Sequence, residues 1–99
     1  MLAHSLGVDD WATVVTDGSE WHVVGVAITE LGKFVEALPW FERAVAAKEK
    51  GDVHGRVDPE SLGASLHRVG DCYARLGKAG EAQSLFERAS MVLKRGPYP

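Results

Sequence analysis

What is missing from this chain narrows its function before any pattern is read. Cys72 is the single cysteine among 99 residues, so no internal disulfide can close, which fits a reducing compartment. No apolar run approaches the roughly 20 residues needed to cross a bilayer; the longest stretch is residues 23–28. The first residues lack a cationic region followed by a long apolar one, so no secretory leader is expected and a cytoplasmic address is the default. Basic tracts are absent and the formal net charge is −3, which removes the electrostatic footprint of a nucleic-acid binder. Neither nucleic acid nor membrane is expected as a partner.

Cations are also missing from one end. Residues 1–32 hold Asp9, Asp10, Asp17, Glu20 and Glu30 with no lysine or arginine, a charge of −5, while residues 33–99 hold 11 bases against 9 acids, a charge of +2. Two readings stay open. One is an asymmetry of solvated faces; the other is an acidic end that steers a basic partner or the basic end of another copy. The chain also has no glycine-rich phosphate loop and no Ser-His-Asp arrangement, so no catalytic residue, cofactor or metal is expected.

What is present is helical periodicity. Trp21, Val24, Ile28 and Leu31 share one helical face, and Gly32 comes next, where a left-handed C-terminal cap is wanted. A second helix is expected from about Val35 to Lys50, burying Leu38, Phe41, Ala44 and Val45, with Pro39 near its first turn where a missing N–H costs little. After a loop over residues 51–57, Asp58-Pro59-Glu60-Ser61 opens a third helix with a side-chain cap, a pre-set φ and an acid at the positive dipole end. That helix runs to about Leu76, placing Leu62, Leu66, Val69 and Tyr73 inward, and Gly77 stops it. A fourth, from about Ala79 to Arg95, buries Ala82, Leu85, Phe86, Ala89 and Leu93. Residues 11–28, rich in β-branched side chains around Asp17-Gly18, also read as a hairpin. Alternatively, Trp11, Val14 and Val15 belong to a short helix that covers the first helical pair.

A repeat decides in favour of helix for residues 19–31. Trp21, Val24, Gly25, Ile28, Gly32, Ala37, Phe41 and Ala44 recur at one offset of 45 as Leu66, Val69, Gly70, Tyr73, Gly77, Ala82, Phe86 and Ala89. Amphipathic patterning fixes polarity but not where a glycine must sit. Gly25 and Gly70 fall mid-helix, at a cost of about 1 kcal/mol against alanine, and so mark a close crossing by the paired helix. Small Ala37, Ala82, Ala44 and Ala89 answer them from the opposing helix. The fold class expected is all-α: two stacked antiparallel helix–turn–helix units over about 18–51 and 63–96, within a domain of residues 18–96. Residues 1–17 form a separate N-terminal segment, a cap or partly disordered. One domain of this length buries roughly 60–70% of its unfolded surface.

The order of residue types resembles the tetratricopeptide repeat, W-x2-L-G-x2-Y…A-x3-F. The resemblance covers residues 18 to about 95 and is fuller in the second copy, with Tyr73, Gly77, Glu81-Ala82, Phe86 and Ala89; the first has Trp21 but Ile28 in the tyrosine place. Glu49 and Lys94 stand where the family has proline, and the offset of 45 exceeds the usual spacing of about 34. The longer unit is similar to repeats of the kinesin light chain type, with no motor function implied. Such families bind proteins or peptides along the surface made by the first helix of each repeat. The resemblance places those groove positions at Ser19, His22, Val26, Thr29, Glu30, Ala64, His67, Asp71, Ala74 and Arg75. Members that clamp a C-terminal carboxylate use Lys and Asn where this chain has His22, Val26, His67 and Asp71, so that activity is not implied.

Individual side chains carry competing readings. His67, Asp71 and Arg75 fall at i, i+4 and i+8 on one stripe, either a polar strip that bonds a peptide and responds near neutral pH or a solvated face. His22 and His67 with Asp71 have no metal-ligand motif. His54 between Asp52 and Asp58 reads as a loop of turn formers. Cys72 and His67 do not share a face, so no nucleophilic pair is expected, and Cys72 reads as half-buried. Trp21 belongs to the core, and Trp40, off the inward stripe, is expected partly exposed. Two repeats leave open ends, since about three are usually needed. Leu85, Met91, Val92 and Leu93 exceed what the internal core uses and are read as an interface, with a homodimer the simplest product and structural self-assembly the second functional reading.

Overall fold

The computed structural model describes residues 18–52 and 54–95. Four helices account for almost all of them: α1 (Ser19–Glu30), α2 (Phe34–Lys50), α3 (Pro59–Arg75) and α4 (Ala79–Arg95). No strand occurs among the described residues, and residues 19–30, the stretch with a competing hairpin reading, are helix. The expected N-terminal segment, including Trp11, lies outside the described residues.

Consecutive helices pack as antiparallel pairs because each tight turn is closed by the same backbone device. After α1, Lys33 N donates to Ile28 O (3.3 Å) and Gly32 N to Thr29 O (2.9 Å); after α3, Lys78 N donates to Tyr73 O (2.8 Å) and Gly77 N to Ala74 O (3.1 Å). These nested bonds satisfy the last carbonyls of each helix and require a left-handed residue. Gly32 and Gly77 supply it at φ +76° and +80°. The first bond set leaves only Lys33 between the turn and α2, so α2 starts at Phe34 and Pro39 falls in its second turn. The helix continues through Pro39 to Lys50, one amide donor short. The start of α3 is built as its residues require: Asp58 Oδ1 accepts from Glu60 N (3.0 Å) and Ser61 N (3.3 Å).

The core joins three helices. Ala37, Phe41 and Val45 of α2, Leu62, Leu66, Val69 and Cys72 of α3, and Ala89 and Val92 of α4 form one buried cluster. Gly25 and Gly70 are explained by aromatic rings lying on them. A Cβ at Gly25 would stand 2.6 Å from the Phe41 ring, and one at Gly70 would stand 2.8 Å from the Phe86 ring. Trp21 is buried, and half-buried Trp40 packs beside it at 5.8 Å between ring centroids, with the Arg43 guanidinium 4.9 Å over its face.

Several expectations are corrected by this packing: Leu31 and Leu93, expected on the inward faces of their helices, are 71% and 53% exposed. Cys72 is fully buried, 1% exposed, in the cluster and not half-buried. Val92, 8% exposed, belongs to the same cluster, and half-buried Leu85 packs against it. Three consecutive apolar residues cannot share one helical face. Ala89 and Val92 are three apart and continue the inward stripe, which turns Met91 and Leu93 outward at 56% and 53% exposure.

Candidate functional site

The helix pairs meet through a polar chain inside the molecule. Lys48 of α2 is 8% exposed, and its Nζ donates to Ser61 O (3.1 Å) and to Ser65 Oγ (2.8 Å). Ser65 Oγ lies 2.9 Å from His22 Nδ1. Ser65 Oγ accepts from Lys48 and has both a proton and a second lone pair for His22, so the direction of that bond follows the imidazole tautomer. Burial holds His22 below its ordinary pKa, and the charges of Lys48 and Arg68 push the same way. Among the described residues every buried side-chain nitrogen and oxygen has a hydrogen-bond partner, so this chain is satisfied rather than strained.

Around this chain the expected groove positions separate into groups. His22, Ala64 and His67 come together on a cavity of about 590 Å³ that also involves Glu60, Gly63, Arg68, Phe86, Ala89, Ser90, Leu93 and Lys94. The rings repeat their packing: His22 lies 5.4 Å from Phe41, and His67 lies 4.9 Å from Phe86. Asp71 and Arg75 extend the α3 strip away from the cavity. Arg75 Nε is 3.7 Å from Asp71 Oδ1, and its guanidinium lies 5.4 Å over the Phe34 ring. Ala74 is exposed beside them.

The remaining positions serve other ends. Val26 packs against the core cluster. Thr29 Oγ1 donates to Val26 O at 2.7 Å, a bond inside its own helix. Glu30 is exposed at the end of α1. Ser19 lines a different cavity, of about 360 Å³, with Lys48, Asp52, Arg56, Asp58 and Ser61.

Sequence reasoning missed Lys48, Ser65 and the α4 wall of the larger cavity. A signal existed for the first two. Position 48 continues 41, 44 and 45 on the inward stripe of α2, and 65 sits beside 62, 66 and 69 on that of α3; polarity argued against burial, and the periodicity prevailed.

Chemistry elsewhere is quiet. Asp52 is held by His54 N (2.8 Å), Arg56 N (3.0 Å) and Arg56 Nε (2.9 Å), so its carboxylate organises the loop. These bonds, the Arg56 amide first, lower its pKa. Burial raises the Cys72 thiol, and Asp71 adds to that; a protonated, enclosed thiol is a poor nucleophile. No group of three or more His, Cys, Asp or Glu among the described residues is placed to hold a metal ion. No described helix is long and apolar enough to cross a membrane. Comparison with family models, curated proteins and solved structures returns no match.

Proposed function

We propose that this chain is a non-catalytic protein- or peptide-binding module of tetratricopeptide-like construction, which reads its ligand with the faces of α1 and α3. One observation carries the reading: His22, Ala64 and His67, from successive helix pairs, converge on one open cavity, and Asp71 and Arg75 continue the same α3 face outward. Such a surface offers donors, acceptors and an aromatic floor but no reacting constellation. Function then resides in complementarity rather than in a bond made or broken.

The test uses the full chain as bait in a lysate of its source. Asp71→Ala with Arg75→Ala removes a half-buried carboxylate and an exposed guanidinium, and surface ion pairs of this kind are worth about 0–1 kcal/mol. Capture of the partner is expected to fall several-fold at little-changed thermal stability. Unchanged capture refutes the face assignment, and a metal or cofactor that survives purification without additives favours an enzyme. The self-assembly reading draws on a separate observation, the outward Met91 of α4, and predicts a dimer mass by light scattering at micromolar concentration.

A further inference from the structure

The same surface occurs twice in this molecule, once covered and once open. In the first helix pair it consists of His22, Phe41, Ala44, Val45 and Lys48, and α3 lies on it. Ser65 bonds His22 and Lys48, while Leu62, Leu66 and Val69 join Phe41 and Val45 in the core. Moving each position by 45 gives His67, Phe86, Ala89, Ser90 and Leu93, all of which line the open cavity of about 590 Å³. The supports are duplicated as well. A Cβ at Gly18 would stand 3.1 Å from Lys48 Cγ, and one at Gly63 would stand 2.7 Å from Leu93 Cγ. A helix therefore already shows how this shape is filled.

The differences between the two copies say what fills the second. Lys48 becomes Leu93, so the residue placed like Ser65 loses its cationic donor and meets an apolar wall. Val45 becomes Ser90, which tolerates a polar neighbour. The rim carries Arg68 and Lys94 against Glu60 alone, an excess of positive charge that favours carboxylates on the incoming chain. We propose that the α3–α4 groove binds an amphipathic helix of a partner protein, laid as α3 lies on α1–α2, with acidic residues flanking its apolar stripe. This inference rests on the binding reading above and names its ligand class.

The experiment titrates the isotope-labelled full chain with a synthetic helix. The probe has the sequence of residues 58–76 with Ser65→Ala, Cys72→Ala and Arg68→Glu, and is held helical by a lactam staple on its outer face. Amide shifts are expected to centre on His67, Phe86, Ser90 and Leu93. In the chain, Ala64→Glu, at an exposed helical position, is expected to weaken binding about tenfold, equivalent to roughly 1.4 kcal/mol; a probe retaining Arg68 is expected to bind several-fold more weakly. No shift at about 1 mM probe, the limit of specific binding worth the name, overturns the proposal. So do shifts confined to the α1–α2 surface, the same shifts on concentrating the chain alone (a second copy in the groove), or cross-peaks from residues 1–17 to the groove. Partner capture that depends on Asp71 and Arg75 but survives Ala64→Glu would remove this inference and leave the binding reading standing.

Discussion

Ser65 stands between an ammonium group and an imidazole, and that arrangement links burial to pH. Lys48 donates to the hydroxyl at 2.8 Å and the hydroxyl lies 2.9 Å from His22 Nδ1, so charging His22 would add a second, half-buried cation near Lys48. Burial, then Lys48 and Arg68, place the folded pKa of His22 below 6.5. A base lowered on folding binds fewer protons folded than unfolded, so stability rises with pH between the lowered value and 6.5. Its contribution is complete above that interval and is lost as pH falls through it. Urea unfolding at about pH 7.5 and about pH 5.5 is expected to show the wild-type chain weaker at the acid value. His22→Gln, which keeps an acceptor and cannot titrate, is expected to reduce the difference, and equal pH dependence in the two proteins removes His22 as its source. Lys48 and Ser65 were not legible as core residues, because polarity and spacing gave opposite answers there. Spacing prevailed since both polar atoms find partners on the opposing helix.

Elements were the most legible level, for reasons that lie in particular residues. Gly32 and Gly77 end their helices through positive φ, Asp58 caps α3 through two amides, and the glycines at 25 and 70 mark where an aromatic ring must lie. Pro39 sits one turn deeper than its residue pattern suggests, because the bonds that close the α1–α2 turn let α2 begin at Phe34. The glycines make a sharp contrast testable. Gly70→Ala gains about 1 kcal/mol of helix propensity but drives a methyl to 2.8 Å from the Phe86 ring and 3.3 Å from Ala82 O, an overpacking that costs about 1–3 kcal/mol. Gly80, near the start of α4, has nothing within 4 Å of the same methyl. Chemical denaturation is expected to show Gly80→Ala more stable than wild type by about 0.4–1 kcal/mol and Gly70→Ala less stable. A stabilised Gly70→Ala would mean that the ring does not hold its place over position 70.

At the scale of the whole molecule, what the sequence left open was which apolar residues close the core and which face outward. Leu85, Met91, Val92 and Leu93 read as one surplus, and the turn of α4 divides them. Val92 is in the cluster with Leu62, Leu66 and Ala89, Leu85 packs against it, and Met91 and Leu93 remain outside. Glu49 of α2 pairs with Arg88 of α4, a link between second helices matching the His22–Ser65 link between first helices. The division changes what a dimerisation test must use. Val92→Glu places a carboxylate in the core without a partner, so it neutralises or unfolds the chain, and lost association in that variant would say nothing about an interface. Met91→Glu changes an exposed position and is expected to leave stability within about 0.5 kcal/mol. If α4 forms a homodimer through its outer face, Met91→Glu lowers the light-scattering mass to that of a monomer while the helical circular dichroism persists. If the wild-type mass is already monomeric, the outward α4 residues serve a different chain, and self-assembly is excluded as this molecule's use of its open end.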